Sequence, residues 1–136
     1  MSLCDTGPLV ALIDARDPNH ARCVQSLSAL PPAPLITTWP CLTEAMYLLH
    51  RAGGITAQNE LWSFMADGLV RLHLPHVDAW RRMHELMNQY ADMPLDMADA
   101  SLISAAEELG EMRLFTLDGR LRAVRIGGNA IFDVIP

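Results

Sequence analysis

Five short apolar runs, set between helical patterns, most narrowly limit what this chain can fold into. Leu3–Cys4 leads into Asp5, Leu35–Thr38 is brief and β-branched, and residues 68–74 alternate as GLVRLHL. Residues 114–117 read LFTL, and Ala130–Val134 lies close to the C-terminus. Between these runs, apolar residues at helical spacing predict helices near 7–13, 19–30, 39–51, 56–66, 78–91 and 97–109. Strands alternating with helices predict an α/β domain around a mostly parallel sheet. Local signals agree. Thr38 is placed to N-cap WPCLTEAMYLLHR, with Pro40 in the first turn, where a missing N–H costs nothing. Gly53–Gly54 is expected to end that helix, Asp96 to cap MADASLISAAEEL, and Gly110 to close it. LPPAPL forms a stiff loop into the second strand.

At 136 residues the chain is expected to be one domain, 1–136, with a core that needs no crosslinks. No apolar run approaches the ~20 residues that span a bilayer. The N-terminus lacks the basic and long apolar regions of a secretory leader. Cys4, Cys23 and Cys41 are scattered, with no CxxC pair, which suits a reducing compartment and argues against a zinc site. A soluble, cytoplasmic protein without membrane partners is expected. Sixteen acids stand against ten arginines, and lysine is absent. A net charge of −6 counts against a nucleic-acid partner, unless several acids gather around divalent cations. The missing lysine excludes any mechanism built on one.

Ligands of open α/β sheets collect beyond the carboxyl ends of the strands, and acids map there. Asp5 ends the first strand, Glu44 lies in the helix after the second, and Asp118 follows LFTL. Asp96 and Asp99 open the helix before that last strand. Asp99 shares a helical face with Leu102, Ile103 and Ala106. Glu44 is embedded in CLTEAMYLL, with no basic residue one turn away. A carboxylate on a core-facing stripe is costly unless its charge is compensated. Mg²⁺ or Mn²⁺ is the natural compensator, because hard cations take oxygen ligands. Each acid has a simpler reading: Asp5 as a cap, Asp96 and Asp99 as a capping pair, Asp118-Gly119 as a turn. Their convergence on one sheet edge carries the argument.

In this order and spacing the motifs resemble the PIN-domain ribonucleases, above all the VapC-type toxins of bacterial toxin–antitoxin pairs. LCDTGPLVALIDARDPNH resembles the opening aspartate motif with its D-x-x-H stretch, and LTEAMYLL the glutamate motif. PLDMADASLISAAEELG resembles the D-A-x-[LI] helix, and LFTLDGRL the T-x-D strand end. The resemblance implies a three-layer α/β/α domain with a central, mostly parallel sheet of four to five strands. It implies a metal site of Asp5, Glu44, Asp99 and Asp118, with Asp96 as an accessory acid and Thr6 and Thr116 as hydroxyl partners. Family members often follow the last aspartate with a further acid and a Phe; here GRLRAV stands instead. The implied activity is Mg²⁺- or Mn²⁺-dependent RNA hydrolysis, with an antitoxin as partner and a homodimer as assembly. Arg16, Arg51, Arg120 and Arg122 are candidate phosphate contacts.

Other residues have plainer expectations. His73 and His76 straddle a strand end away from the acids, and His20 and His84 fit helix surfaces. Trp39, Trp62 and Trp80 sit in apolar patterns that predict core or interface positions. The helices at 39–51 and 56–66 carry enough Leu, Met and Trp to suggest a self-association face. Two other functions compete. An aspartyl-phosphate phosphatase also starts from an Asp after the first strand, but Gly7 stands where its second Asp belongs and no lysine is available. A degenerate PIN module would bind RNA or protein without cutting it.

Overall fold

The computed structural model describes all 136 residues. Five strands, β1 (Ser2–Cys4), β2 (Leu35–Thr37), β3 (Val70–Leu72), β4 (Arg113–Phe115) and β5 (Asp133–Ile135), form one sheet in the order β3-β2-β1-β4-β5. Every pairing is parallel. The helices are α1 (Thr6–Ile13), α2 (His20–Ala29), α3 (Trp39–Ala66), α4 (Ala79–Gln89) and α5 (Met97–Leu109), with a 3₁₀ turn at Gly119–Ala123. No helix is long and apolar enough to cross a membrane.

The central strands β1 and β2 are buried throughout because both faces of the sheet are covered, whereas the edge strands β3 and β5 carry the exposed Arg71 and Asp133. Leu3, Ile36 and Leu114 pack with Leu86, Leu102 and Ile103 of α4 and α5. Their neighbours Cys4, Leu35 and Phe115 pack on the opposite face with Leu9, Cys23, Leu42 and Leu49 of α1, α2 and α3. The layers are therefore helix, sheet, helix. Consecutive residues of each central strand feed different cores, so a one-residue slip would exchange them. The chain runs from β1 through β2 to β3 in one direction and then places β4 on the other side of β1. That reversal puts a crevice beyond the ends of β1 and β4, the switch point where open α/β sheets bind ligands.

Several boundaries differ from the sequence reading. The strand expected over Leu114–Leu117 stops at Phe115; the Thr116 N–H still donates to the Ile135 carbonyl (2.9 Å), while its hydroxyl donates to Asp5 and accepts from the Asp118 N–H. The last strand is Asp133–Ile135 rather than Ala130–Val134. Ala130 instead pairs antiparallel with Ile126 across a tight loop whose Gly127 and Gly128 have φ of +57° and +106°. Gly53 and Gly54 break the helical path inside α3, as expected, although hydrogen bonding continues on both sides.

Candidate active site at the ends of β1 and β4

Asp5 stands one residue beyond β1, tied to the neighbouring strand by its N–H donating to the Phe115 carbonyl (2.9 Å). Both of its carboxylate oxygens are held. The Thr6 N–H donates to Oδ1 at 2.7 Å, so Asp5 does N-cap α1, and the Thr116 hydroxyl donates to Oδ2 at 2.7 Å. The buried Cys41 thiol also points at Asp5 Oδ1, at 3.8 Å. Burial, and after it Asp5, pushes that thiol's pKa up to about 12, so it stays protonated as a weak donor. Thr6 turns its hydroxyl the other way, towards the Cys41 carbonyl (3.2 Å) and Glu44 Oε2 (3.4 Å). The two threonines thus span the gap between three elements. Asp5 is a cap and a cleft wall at once.

Asp99 is brought in by the start of α5. The Asp99 N–H donates to Asp96 Oδ1 (2.8 Å) and the Asp96 N–H donates back to Asp99 Oδ2 (3.1 Å), a reciprocal capping box. Asp96 itself is exposed, whereas Asp99 is 4% exposed. Glu44 comes from the second turn of α3, whose start is capped by Thr38. The expectation that Glu44 lies on a core-facing stripe is corrected. Leu42, Ala45 and Leu49 take the buried face of α3, and Glu44 is exposed at the cleft. Asp118 follows β4 and caps the 3₁₀ turn, accepting from the Arg120 N–H at 3.0 Å.

Together Asp5, Glu44, Asp96, Asp99, Asp118 and Arg120 line a cleft of about 460 Å³. Its electrostatics divide the acids. Burial first of all pushes Asp5 up; hydrogen bonds from Thr116 and Thr6 hold it down, and the charges of Asp118 and Asp96 add to the rise. Glu44 rises through partial burial and the nearby Asp96 and Asp5. Asp99 is pushed up to about 7, chiefly by burial, with Asp96 and Asp5 contributing. Asp118 alone is lowered, by its hydrogen bonds from Arg120.

Desolvated carboxylates that repel one another are the environment a hard cation relieves. Asp5, Glu44 and Asp99 come from three elements and face one cleft, so the donor set fits a divalent ion. As placed, no three acidic, histidine or cysteine side chains close into a ready-made cage.

Of the four arginines proposed for phosphate, only Arg120 lines the cleft. Arg16 bonds Asp14 and the Ala52 carbonyl, Arg51 stands 6.0 Å above the Tyr47 ring, and Arg122 is exposed on the 3₁₀ turn. His73 pairs with Glu108 (2.8 Å), and His20 Nδ1 lies 2.6 Å from the Ala11 carbonyl. Trp39, Trp62 and Trp80 are each about half exposed and not core residues. The sequence reading missed Cys41 and the anchoring of Arg120. Cys41 lies one helical turn before Glu44, a spacing that could have flagged it.

A parallel five-stranded sheet brings acids from the ends of β1 and β4 and from the opening turns of α3 and α5 into one cleft. The chain belongs to the PIN-domain family, matching its description, PIN domain, over residues 2–127. It is 26% identical over 135 residues to Ribonuclease VapC26 of Mycobacterium tuberculosis, covering 98% of this chain and 99% of that protein. The fold is that of Mycobacterium tuberculosis VapC20, a Sarcin-Ricin loop cleaving toxin (TM-score 0.84, 21% identity, all of both chains). A toxin-antitoxin complex from Klebsiella pneumoniae matches at TM-score 0.60 and 22% identity over 87% of each chain.

Proposed function

We propose that the protein is a divalent-metal-dependent endoribonuclease and the toxin of a toxin–antitoxin pair. The observation that supports this most is the convergence of Asp5, Glu44 and Asp99 on the β1/β4 switch point. Membership of the PIN family and likeness to a ribonuclease along the whole chain supply the substrate class.

Asp5, Glu44 and Asp99 would hold Mg²⁺ or Mn²⁺, with Asp118 completing the anionic rim. When bound, such an ion supplies Lewis acidity to a phosphoryl oxygen and acidifies a water. The chain's own residues do the positioning. Thr116 and the Thr6 N–H fix the Asp5 rotamer, and the capping box fixes Asp99. Glu44, hydrogen-bonded on one oxygen only, is the side chain most able to adjust. A water oxygen bonds to phosphorus, the bond to the ribose 3′ oxygen breaks, and 5′-phosphate and 3′-hydroxyl ends result. The carboxylates hold and orient; none becomes a nucleophile.

The partner proposed is an antitoxin protein, in keeping with the toxin–antitoxin assemblies among the structural relatives. A homodimer in the cytoplasm completes the reading. Trp39, Tyr47, Ile55 and Trp62 on α3 are all about half exposed or more, a large apolar surface for an isolated chain. Light scattering at micromolar concentration tests the dimer, and a monomer there refutes it. The activity is tested by incubating antitoxin-free protein with structured RNA. Cleavage is expected with Mg²⁺ or Mn²⁺ and none in excess EDTA; cleavage in EDTA would overturn the metal dependence.

A further inference from the structure

Arg120 enters the cleft as the one positive charge among its acids, and its bonding is unusually complete. The guanidinium has five N–H donors. Nε–H donates to Asp118 Oδ1 and Oδ2 (3.0 and 2.9 Å), and Nη2 donates to Asp118 Oδ2 (2.6 Å) and Asp99 Oδ2 (3.5 Å). Nη1 reaches the carbonyls of Met93 (3.3 Å) and Pro94 (3.1 Å), ahead of α5. Every donor has an acceptor. A side chain so engaged is a built-in fixture rather than a loose surface arginine.

The same contacts decide what the carboxylates have left to give. An ionised carboxylate offers about four lone-pair sites. Asp118 receives three N–H groups, all from Arg120: the backbone N–H on Oδ1, Nη2–H on Oδ2, and Nε–H shared between the two, so both of its oxygens are engaged by one cation. Asp99 keeps Oδ1 free of hydrogen bonds, and Glu44 keeps Oε1 free. Asp5 accepts one strong hydrogen bond on each oxygen. Three carboxylates can therefore receive an ion, and the fourth is already occupied by a cation belonging to the chain.

We propose that this centre takes one divalent ion, on Asp5, Glu44 and Asp99, and that Arg120 fills the place of a second by neutralising Asp118 and engaging both of its oxygens. The inference rests on the metal-dependent reading above and refines it. Asp118 becomes the anchor of Arg120 instead of a ligand, and Arg120 is a positioning residue. Two-ion centres need carboxylates able to serve both ions about 4 Å apart, and here Asp118 is withdrawn from that task.

Mn²⁺ binding, followed by the electron paramagnetic resonance signal of the free ion, counts sites without any need for cleavage. The wild-type protein is expected to saturate at about one Mn²⁺ per chain and Arg120→Gln at about two, while Asp118→Asn keeps one and Asp99→Asn loses it. Wild type binding two ions, Arg120→Gln still binding one, or Asp118→Asn losing the ion as Asp99→Asn does, each overturns the inference and leaves the metal-dependent reading standing. No Mn²⁺ on the wild type overturns both.

Discussion

Two hollows share the wall that Glu44 provides, and they differ in almost every other respect. The acid cleft, about 460 Å³, gathers Asp5, Asp96, Asp99, Asp118 and Arg120. The other, about 720 Å³, is lined by Trp39, Tyr47, Met83 and Met97, with Thr43, Ser101, Ser104 and His73 among its polar members. The larger hollow lies between helices, where Trp39, Thr43 and Tyr47 recur at four-residue spacing along one face of α3. The smaller lies where strand ends and helix starts converge, so backbone and caps can hold carboxylates in a fixed relation. On the proposed function, the chemistry follows the convergence of held, desolvated acids and not the size of the hollow.

If that contrast is right, the largest effects belong to the acid cleft. Asp5→Asn and Asp99→Asn are expected to reduce RNA cleavage well beyond the roughly 10–100-fold typical of losing an outer-shell partner. Circular dichroism should show both variants folded. Thr116→Val, isosteric but without the hydroxyl that holds Asp5 and the Asp118 N–H, is expected to weaken Mn²⁺ binding by about 10–100-fold, read by titration calorimetry.

A pH dependence follows from Asp99. Its carboxyl is raised to about 7 in the fold, against an ordinary value near 4 in the unfolded chain. Between those values the folded state binds more protons, so metal-free stability falls as pH rises from about 4 to about 7. Asp118, lowered by Arg120, acts in the opposite sense and loses its contribution only in acid. Urea melts across this range should show the Asp99 slope, and Asp99→Asn should remove most of it. Adding Mg²⁺ should restore stability at the upper end, because the ion binds the ionised form.

Smaller effects are expected from the cap beside the cleft and from the apolar hollow. Asp96→Ala should cost about 1 kcal/mol through the lost cap, measured by urea denaturation. Trp39→Ala and Tyr47→Ala, at exposed positions of the apolar hollow, should leave Mn²⁺ affinity unchanged, measured by titration calorimetry. A lost ion in either variant would dissolve the distinction between the two hollows.

Much of the site could be read before the fold was known, for identifiable reasons. Asp5 and Asp99 sit where local rules are strict: a strand followed by a cap, and a capping box followed by an apolar helical face. Gly53–Gly54 announced the interruption of α3 in the same way. Glu44 was harder. Its apolar neighbours suggested burial, but a helix beside a cleft has an intermediate face, and only packing shows which residue turns onto it. Arg120 was legible as a basic residue near the acids and not as a saturated clamp. Its partners Met93 and Pro94 lie more than twenty residues away, and carbonyl acceptors leave no mark in sequence. Thr116 was placed beside the site by resemblance alone, because its bond to Asp5 joins residues 111 positions apart.

The most direct test of the central claim is cleavage of a defined RNA by antitoxin-free protein, with wild type and Asp99→Asn compared in Mg²⁺ and in EDTA. The account predicts 5′-phosphate and 3′-hydroxyl products from the wild type in Mg²⁺ alone. Equal cleavage by Asp99→Asn, or undiminished cleavage in EDTA, would contradict it.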